Sequence, residues 1–245
     1  MRHGVFVGPF GPLADPALVA RMAAKAEVAG WDGFFLWDHV FYVGVDELAD
    51  PWITLAAVAV ATERLVVGPM VTPLARRRLP KLARETLSLD RLSGGRLVFG
   101  VGVGSDRTGE FDRPGEEPDA RKRAAALDDG LTTLHDLWAG AAIPVWVGSK
   151  GRNPAPLRRA ARWHGWFPVA IESPDQFAEG AAAIRAQRAA DGRGDEPYEL
   201  AIAPDPGRDP ADWAGAGATW LLTNFGSHPD ADDVAAVIGA GPPRV

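Results

Sequence analysis

The 245-residue chain predicts an α/β fold, a parallel (β/α)8 TIM barrel over residues 1–245 as one domain. Three observations carry that expectation. Eight short apolar runs alternate with amphipathic stretches along the whole length, and the repeat averages about 30 residues, the size of one β-α unit. The runs are rich in Val, Phe, Leu and Trp and mostly not strictly alternating, as strands covered on both faces are. An open doubly wound sheet shares these features and is the alternative, because pattern alone does not show closure.

The elements follow in order. Residues 4–8 form the first apolar run; Asp15-Pro16 then opens a helical pattern over 17–29 with Leu18, Met22, Ala26 and Ala29 at three- and four-residue steps. The second run, 32–36, ends in Trp37-Asp38-His39 and precedes Asp50-Pro51. The third, 64–71, contains Gly68 and Pro69 near its end, and Gly94-Gly95 turns the chain into the fourth, 96–101. A long helix over 119–138 buries Leu127, Leu131, Leu134 and Trp138 and turns Arg121, Lys122, Arg123, Asp128 and Asp129 to water. Only Ala139-Gly140-Ala141-Ala142 separate it from the fifth run, 143–147. The last three runs are 165–170, 198–203 and 218–222. Asn153-Pro154, Ser173-Pro174 and Asp209-Pro210 repeat the pairing of a capping side chain with a proline suited to the first helical position. Residues 191–195 read as a loop and Gly-Pro-Pro at 241–243 as the end of the last helix, so no linker divides the chain.

Composition excludes several functions. The formal net charge of −6 argues against nucleic acid as a partner, since phosphate binding wants a basic face. There is no cysteine, which removes disulfides, thiolate nucleophiles and iron–sulfur clusters. No apolar run reaches bilayer length and the N-terminus lacks a signal-peptide core, so no membrane partner and a cytoplasmic location are expected. The five histidines show no metal-ligand spacing, and no Gly-x-Ser-x-Gly elbow is present.

Ligands of such a barrel bind at the C-terminal ends of the strands. There, Asp38-His39 place two titratable groups after strand two, and His39 can exchange protons near neutral pH. Trp37 either walls a planar ring or packs in the core. Gly100, Gly102 and Gly104, followed by Ser105, strip side chains from the exit of strand four, so a flat ligand is expected to approach the backbone. Gly148, Ser149, Lys150, Gly151 and Arg152 precede the Asn153-Pro154 helix start, where amides and the helix dipole favour a phosphate. Arg76-Arg77-Arg78 reads as wet surface or as a holder of an anionic tail.

At these residues the chain resembles the bacterial-luciferase-like family of flavin- and deazaflavin-dependent oxidoreductases. The resemblance runs through Ala26-Glu27-Val28-Ala29-Gly30-Trp31-Asp32-Gly33, Asp38-His39 and the strand end from Gly68 to Thr72. It continues through Leu89-Asp90-Arg91-Leu92-Ser93-Gly94-Gly95-Arg96 with the glycine-rich strand exit, then Pro144-Val145-Trp146-Val147-Gly148 and Ala160-Ala161-Arg162-Trp163-His164-Gly165-Trp166. It implies a flavin-type ring in the barrel mouth, with Asp38 and His39 as the catalytic pair and Asp38 orienting His39 or its loop. Met70 and Val71 match the place where many members carry a non-prolyl cis peptide behind the ring. Gly102, Gly104 and Ser105 match the strand-four exit beside the cofactor chain, and Gly148, Ser149, Lys150 and Gly151 the phosphate-side loop. The family's usual long excursion before strand five is missing, and His164-Gly165-Trp166 stands for its common Asp-Gly-Trp.

The implied activity is oxidoreduction of a small organic substrate, either as a monooxygenase using reduced FMN or by hydride transfer with a deazaflavin coenzyme (F-420). A homodimer is expected, and a non-catalytic flavin-binding protein of the same fold is the alternative.

Overall fold

A computed structural model describes residues 1–107, 109–151, 153–205 and 207–243. Among them nine strand segments and eight α-helices alternate. The strands are β1 (Arg2–Val7), β2 (Gly33–Leu36), β3 (Val66–Pro69), β4 (Thr72–Pro73), β5 (Phe99–Gly102), β6 (Val145–Lys150), β7 (Gly165–Val169), β8 (Glu199–Ile202) and β9 (Trp220–Asn224). The helices are α1 (Pro16–Val28), α2 (Pro51–Ala61), α3 (Leu79–Leu92), α4 (Ala120–Leu137), α5 (Pro154–Ala161), α6 (Pro174–Ala190), α7 (Pro210–Gly215) and α8 (Ala231–Ala240).

All the strand pairs are parallel, in the order β3-β2-β1-β9-β8-β7-β6-β5-β4. The two ends of that order are the two halves of one barrel strand: β3 and β4 are split at the cis peptide between Met70 and Val71. Val67 closes the ring. Its amide donates to the Arg96 carbonyl at 3.0 Å, and its carbonyl accepts from the Val98 amide at 2.9 Å. Closure decides against the open sheet, which pattern reading left standing.

Four of the five cap-proline pairs work as expected. Asp15, Asp50, Ser173 and Asp209 each accept a backbone amide of the first helical turn. Asn153 makes no such bond at the start of α5. The short connection between α4 and β6 spans residues 138–144, so the shortened insertion is real.

Alternate residues of the strands face the helices and the barrel axis. Val5, Val7, Phe34, Leu36, Val67, Phe99 and Val147 join the layer under the helices. Phe6, Phe35, Met70, Val98, Trp146, Phe167, Trp220 and Leu222 fill the barrel interior. Those aromatic side chains plug the lower barrel, and larger cavities lie at the C-terminal rim.

Candidate active site

Two of the cavities at the rim adjoin at shared residues. One, of about 420 Å³, is bounded by His39, Val71, Gly102, Gly104, Ser149 and Lys150 among others. The other, of about 590 Å³, lies toward the axis against Phe6, Trp37, Met70 and Phe167. Val71 and Val169 line both, so they form the partition. Each volume falls within the range of cofactor and small-molecule sites.

The first cavity begins on a buried ionic network. Asp38 follows β2 and its side chain is fully buried. It accepts from Thr72 Oγ1 at 2.6 Å, Arg76 Nη2 at 2.7 Å, Arg77 Nη2 at 2.7 Å and Trp52 Nε1 at 3.3 Å. Burial pushes the Asp38 carboxyl upward, but the Arg77 and Arg76 guanidiniums and the Thr72 hydroxyl outweigh it and hold it below the usual carboxylate range. Arg76 also reaches Glu110, with Nη1 2.8 Å from Oε1. The same Glu110 oxygen lies 3.0 Å from His39 Nδ1 and accepts from the Val40 amide at 2.8 Å. Burial raises the Glu110 carboxyl as well, and His39, Arg76 and the Val40 amide together bring it below its ordinary value.

This geometry changes three expectations. Asp38 does not orient His39; its oxygens are taken by Arg76, Arg77, Thr72 and Trp52, and the acid facing the imidazole is Glu110. Arg76 and Arg77 are neither wet surface nor holders of an anionic tail. Their side chains are 2% and 18% exposed, and both are spent on neutralising Asp38 and Glu110. Only Arg78, which precedes α3, is left of that run to face outward. The glycines of strand β5 serve the chain before any ligand. A Cβ on Gly100 would stand 2.2 Å from the Pro69 carbonyl oxygen and 2.7 Å from Met70 Sδ, and one on Gly102 would stand 2.7 Å from Val71 Cγ2. They clear room for the kinked third strand, although Gly102 and Gly104 still border the cavity.

Glu110 is the residue that sequence reading passed over. It sits in the stretch between β5 and α4, among several acids and in no motif. The aromatic next to it was the available signal. Phe111 is fully buried under the Arg123 guanidinium, 4.2 Å from its ring centroid, and the Phe111 amide donates to Asp106 Oδ1 at 2.8 Å. Arg123 Nε in turn donates to the Val103 carbonyl at 3.2 Å. Those contacts pin the loop and fix Glu110 against His39.

At the other end stand Ser149, Lys150, Asn153, Pro156 and Arg159. Ser149 Oγ accepts from Trp166 Nε1 at 2.7 Å, which leaves its own proton to donate. The helix start offers less than expected. Asn153 does not cap α5, and Pro154 and Pro156 carry no N–H, so anion recognition falls on side chains. Gly151 is engaged through its amide with the Val169 carbonyl at 3.0 Å, and Arg152 lies outside the described residues. Ser105 borders the same cavity, while Met70 belongs to the axial one. Trp37 is half-buried, walls the axial cavity and packs on Phe6 and Phe10 with ring centroids 5.6 and 5.7 Å away.

The residues fit a flavin-type cofactor. The donor set is a serine hydroxyl and two cations at one end, with apolar walls from Val71, Pro73, Val103 and Val169 between them and His39. Such a lining suits a flat ring that carries a phosphate-bearing tail.

A parallel barrel with this rim belongs to the cofactor-binding α/β-barrel proteins. The family profile described as luciferase-like monooxygenase matches residues 1–206, and the chain belongs to that family. An F420-dependent glucose-6-phosphate dehydrogenase of Nakamurella multipartita is 28% identical over 192 residues, covering 67% of this chain and 55% of that protein. A phthiodiolone/phenolphthiodiolone dimycocerosates ketoreductase of Mycobacterium tuberculosis is 25% identical over 259 residues, covering 85% and 62%. The chain thus spans between about half and two thirds of the length of these relatives. Among solved structures, an F420-dependent secondary alcohol dehydrogenase superposes with a TM-score of 0.80 at 16% identity, covering 97% of both chains. The FMN-bound oxygenating constituent of 3,6-diketocamphane monooxygenase from Pseudomonas putida gives 0.69 at 17% identity, over 83% of this chain and 66% of its own. These two establish a shared fold. Among the described residues no helix is long and apolar enough to cross a membrane.

Proposed function

We propose that this chain is an oxidoreductase that uses a deazaflavin coenzyme to interconvert a carbonyl and a hydroxyl group on a small organic substrate, with His39 carrying the proton. One observation carries the reading: His39 borders the cavity and is backed at 3.0 Å by the buried Glu110. When bound, the cofactor supplies or takes up the hydride.

The protein's part is to hold the proton and the geometry. The Glu110 carboxyl is held below its ordinary range, and its oxygen 3.0 Å from Nδ1 of His39 favours the tautomer that carries a proton there. Nε2 is then the nitrogen that exchanges a proton with the substrate oxygen, giving it in reduction and accepting it in oxidation. Asp38, locked by two arginines, acts one step behind by holding Arg76 against Glu110. Val71 and Val169 border both cavities, and the apolar floor of the axial one, from Phe6, Trp37 and Phe167, suits the organic body of a substrate whose reacting carbon and oxygen reach past them to the ring and His39.

The names of the curated relatives support deazaflavin over FMN, and the dehydrogenase and ketoreductase names support the carbonyl–hydroxyl couple. The family's description favours a second reading, a monooxygenase using reduced FMN. Titration with the deazaflavin coenzyme and with FMN, read by fluorescence quenching, separates the two. Tight binding of the deazaflavin alone supports the proposal; binding of FMN alone transfers it to the second reading, and binding of neither removes both. A non-catalytic flavin-binding protein would bind the cofactor and show no turnover for His39→Ala to change.

A further inference from the structure

The phosphate-side end of the first cavity holds a buried guanidinium. Arg159 lies on α5, borders the cavity, and its side chain is only 8% exposed. It is clamped from α4. Nε donates to Asp128 Oδ1 at 2.9 Å, and Nη2 donates to Asp128 Oδ2 at 2.8 Å and to the Ala124 carbonyl at 3.3 Å. Nη1 is not among the atoms spent on these partners. A guanidinium fixed bidentately on one edge keeps a rigid, preoriented donor on the other, which is the form in which arginine recognises phosphate.

Charge counting points the same way. The two acids that border the cavity, Asp38 and Glu110, are matched by Arg76 and Arg77. Asp128 serves two guanidiniums at once, Arg159 and Arg162. One positive charge is therefore left over in that cluster, and Lys150 adds another at the same end. Helix α5, robbed of amides by Pro154 and Pro156, supplies little of the usual anion binding from its backbone.

We infer that Arg159, preoriented by Asp128, is the phosphate-recognition residue of the cofactor site and selects flavin cofactors that carry a phosphate on the ribityl chain. The inference rests on the function proposed above. FMN and the deazaflavin coenzyme share this chemistry, one as a monoester and the other as a diester; riboflavin and the tailless deazaflavin chromophore lack it. Arg162 shares Asp128 but lies outside the cavity lining, with a side chain 59% exposed, and serves as the control.

Dissociation constants by fluorescence quenching for each cofactor and its phosphate-free partner, on wild type, Arg159→Gln and Arg162→Gln, test this. Arg159→Gln is expected to weaken the phosphate-bearing member about tenfold or more and its partner less than about twofold, while Arg162→Gln changes neither. The pair that responds, FMN with riboflavin or the two deazaflavins, tells which phosphate is read. Equal weakening of both members, or no weakening, overturns the inference while the proposed function stands. A wild type that binds none of the four compounds removes the function and the inference with it. Should Arg159→Gln fail to fold, Arg159→Lys keeps the charge but loses the fork. A severalfold loss confined to the phosphate-bearing member then supports the assignment, and an unchanged constant refutes it.

Discussion

Nδ1 of His39 stands 3.0 Å from Oε1 of Glu110, an acid delivered across the split third strand by the loop after β5. The pairing joins two barrel strands that are not neighbours, so the imidazole is held by tertiary structure and not by its own loop. Glu110→Gln would keep the shape but give the imidazole an uncharged neighbour and leave Arg76 with one carboxylate in place of two. With His39 as the proton carrier, turnover is expected to fall about a hundredfold, the low end of general acid–base contributions. Cofactor affinity is expected to change by less than about threefold. Steady-state rates set beside cofactor titrations check both; equal turnover in wild type and variant would remove Glu110 from the reaction.

A second expectation concerns stability. Asp38→Ala would leave Arg77, its side chain 18% exposed, without the carboxylate it pairs with, and Arg76, 2% exposed, with Glu110 alone among the described residues. Breaking a buried ion pair by removing one partner costs about 3–5 kcal/mol. Denaturant unfolding of the variant should give an unfolding free energy lower by that amount. A loss below about 1 kcal/mol would mean that water replaces the carboxylate.

Much of this fold is readable residue by residue. The β-loop-α grammar works because aspartate or serine before proline caps a helix by local chemistry alone, and the apolar runs have no other way to be buried. The kinked third strand was reached by resemblance, through Met70 and Val71. The ionic network was not legible. Arg76-Arg77-Arg78 looks like solvated charge until the barrel closes and folds two of the three onto Asp38. Glu110 has no pattern around it, since what fixes it is the Phe111 ring under Arg123, a contact between residues of no fixed spacing. The glycines of β5 were legible as bare backbone, but their neighbour proved to be the chain itself.

The pH dependence follows from the same network. Asp38 and Glu110 both have folded-state pKa values below their ordinary ones. A depressed carboxyl adds stability that is fully present above its unfolded pKa, about 3.9 for Asp and 4.3 for Glu, and lost as pH falls through the lower folded value. Unfolding free energy is therefore expected to decline as pH drops below about 4.5. Asp38→Asn should flatten part of that decline. If the slopes of wild type and variant are identical across this range, Asp38 is not the group being protonated.

Two glycines should respond to the same substitution with opposite signs. At Gly100 in β5 a new Cβ would meet the Pro69 carbonyl oxygen at 2.2 Å and Met70 Sδ at 2.7 Å. The first is backbone and cannot swing away, so Gly100→Ala must push β3 and β5 apart beside the partition residue Val71. Overpacking of this kind costs about 1–3 kcal/mol, and the displaced strand would also weaken cofactor binding. Gly239 lies in α8 and has nothing within 4 Å of a built Cβ. There Gly239→Ala removes only unfolded-chain freedom and is expected to stabilise by about 0.5–1 kcal/mol. Thermal melts of the two variants beside wild type read both effects. A Gly100→Ala protein as stable as wild type would mean that the strands have slack at the kink, and the close approach of β3 to β5 would then not be what requires glycine there.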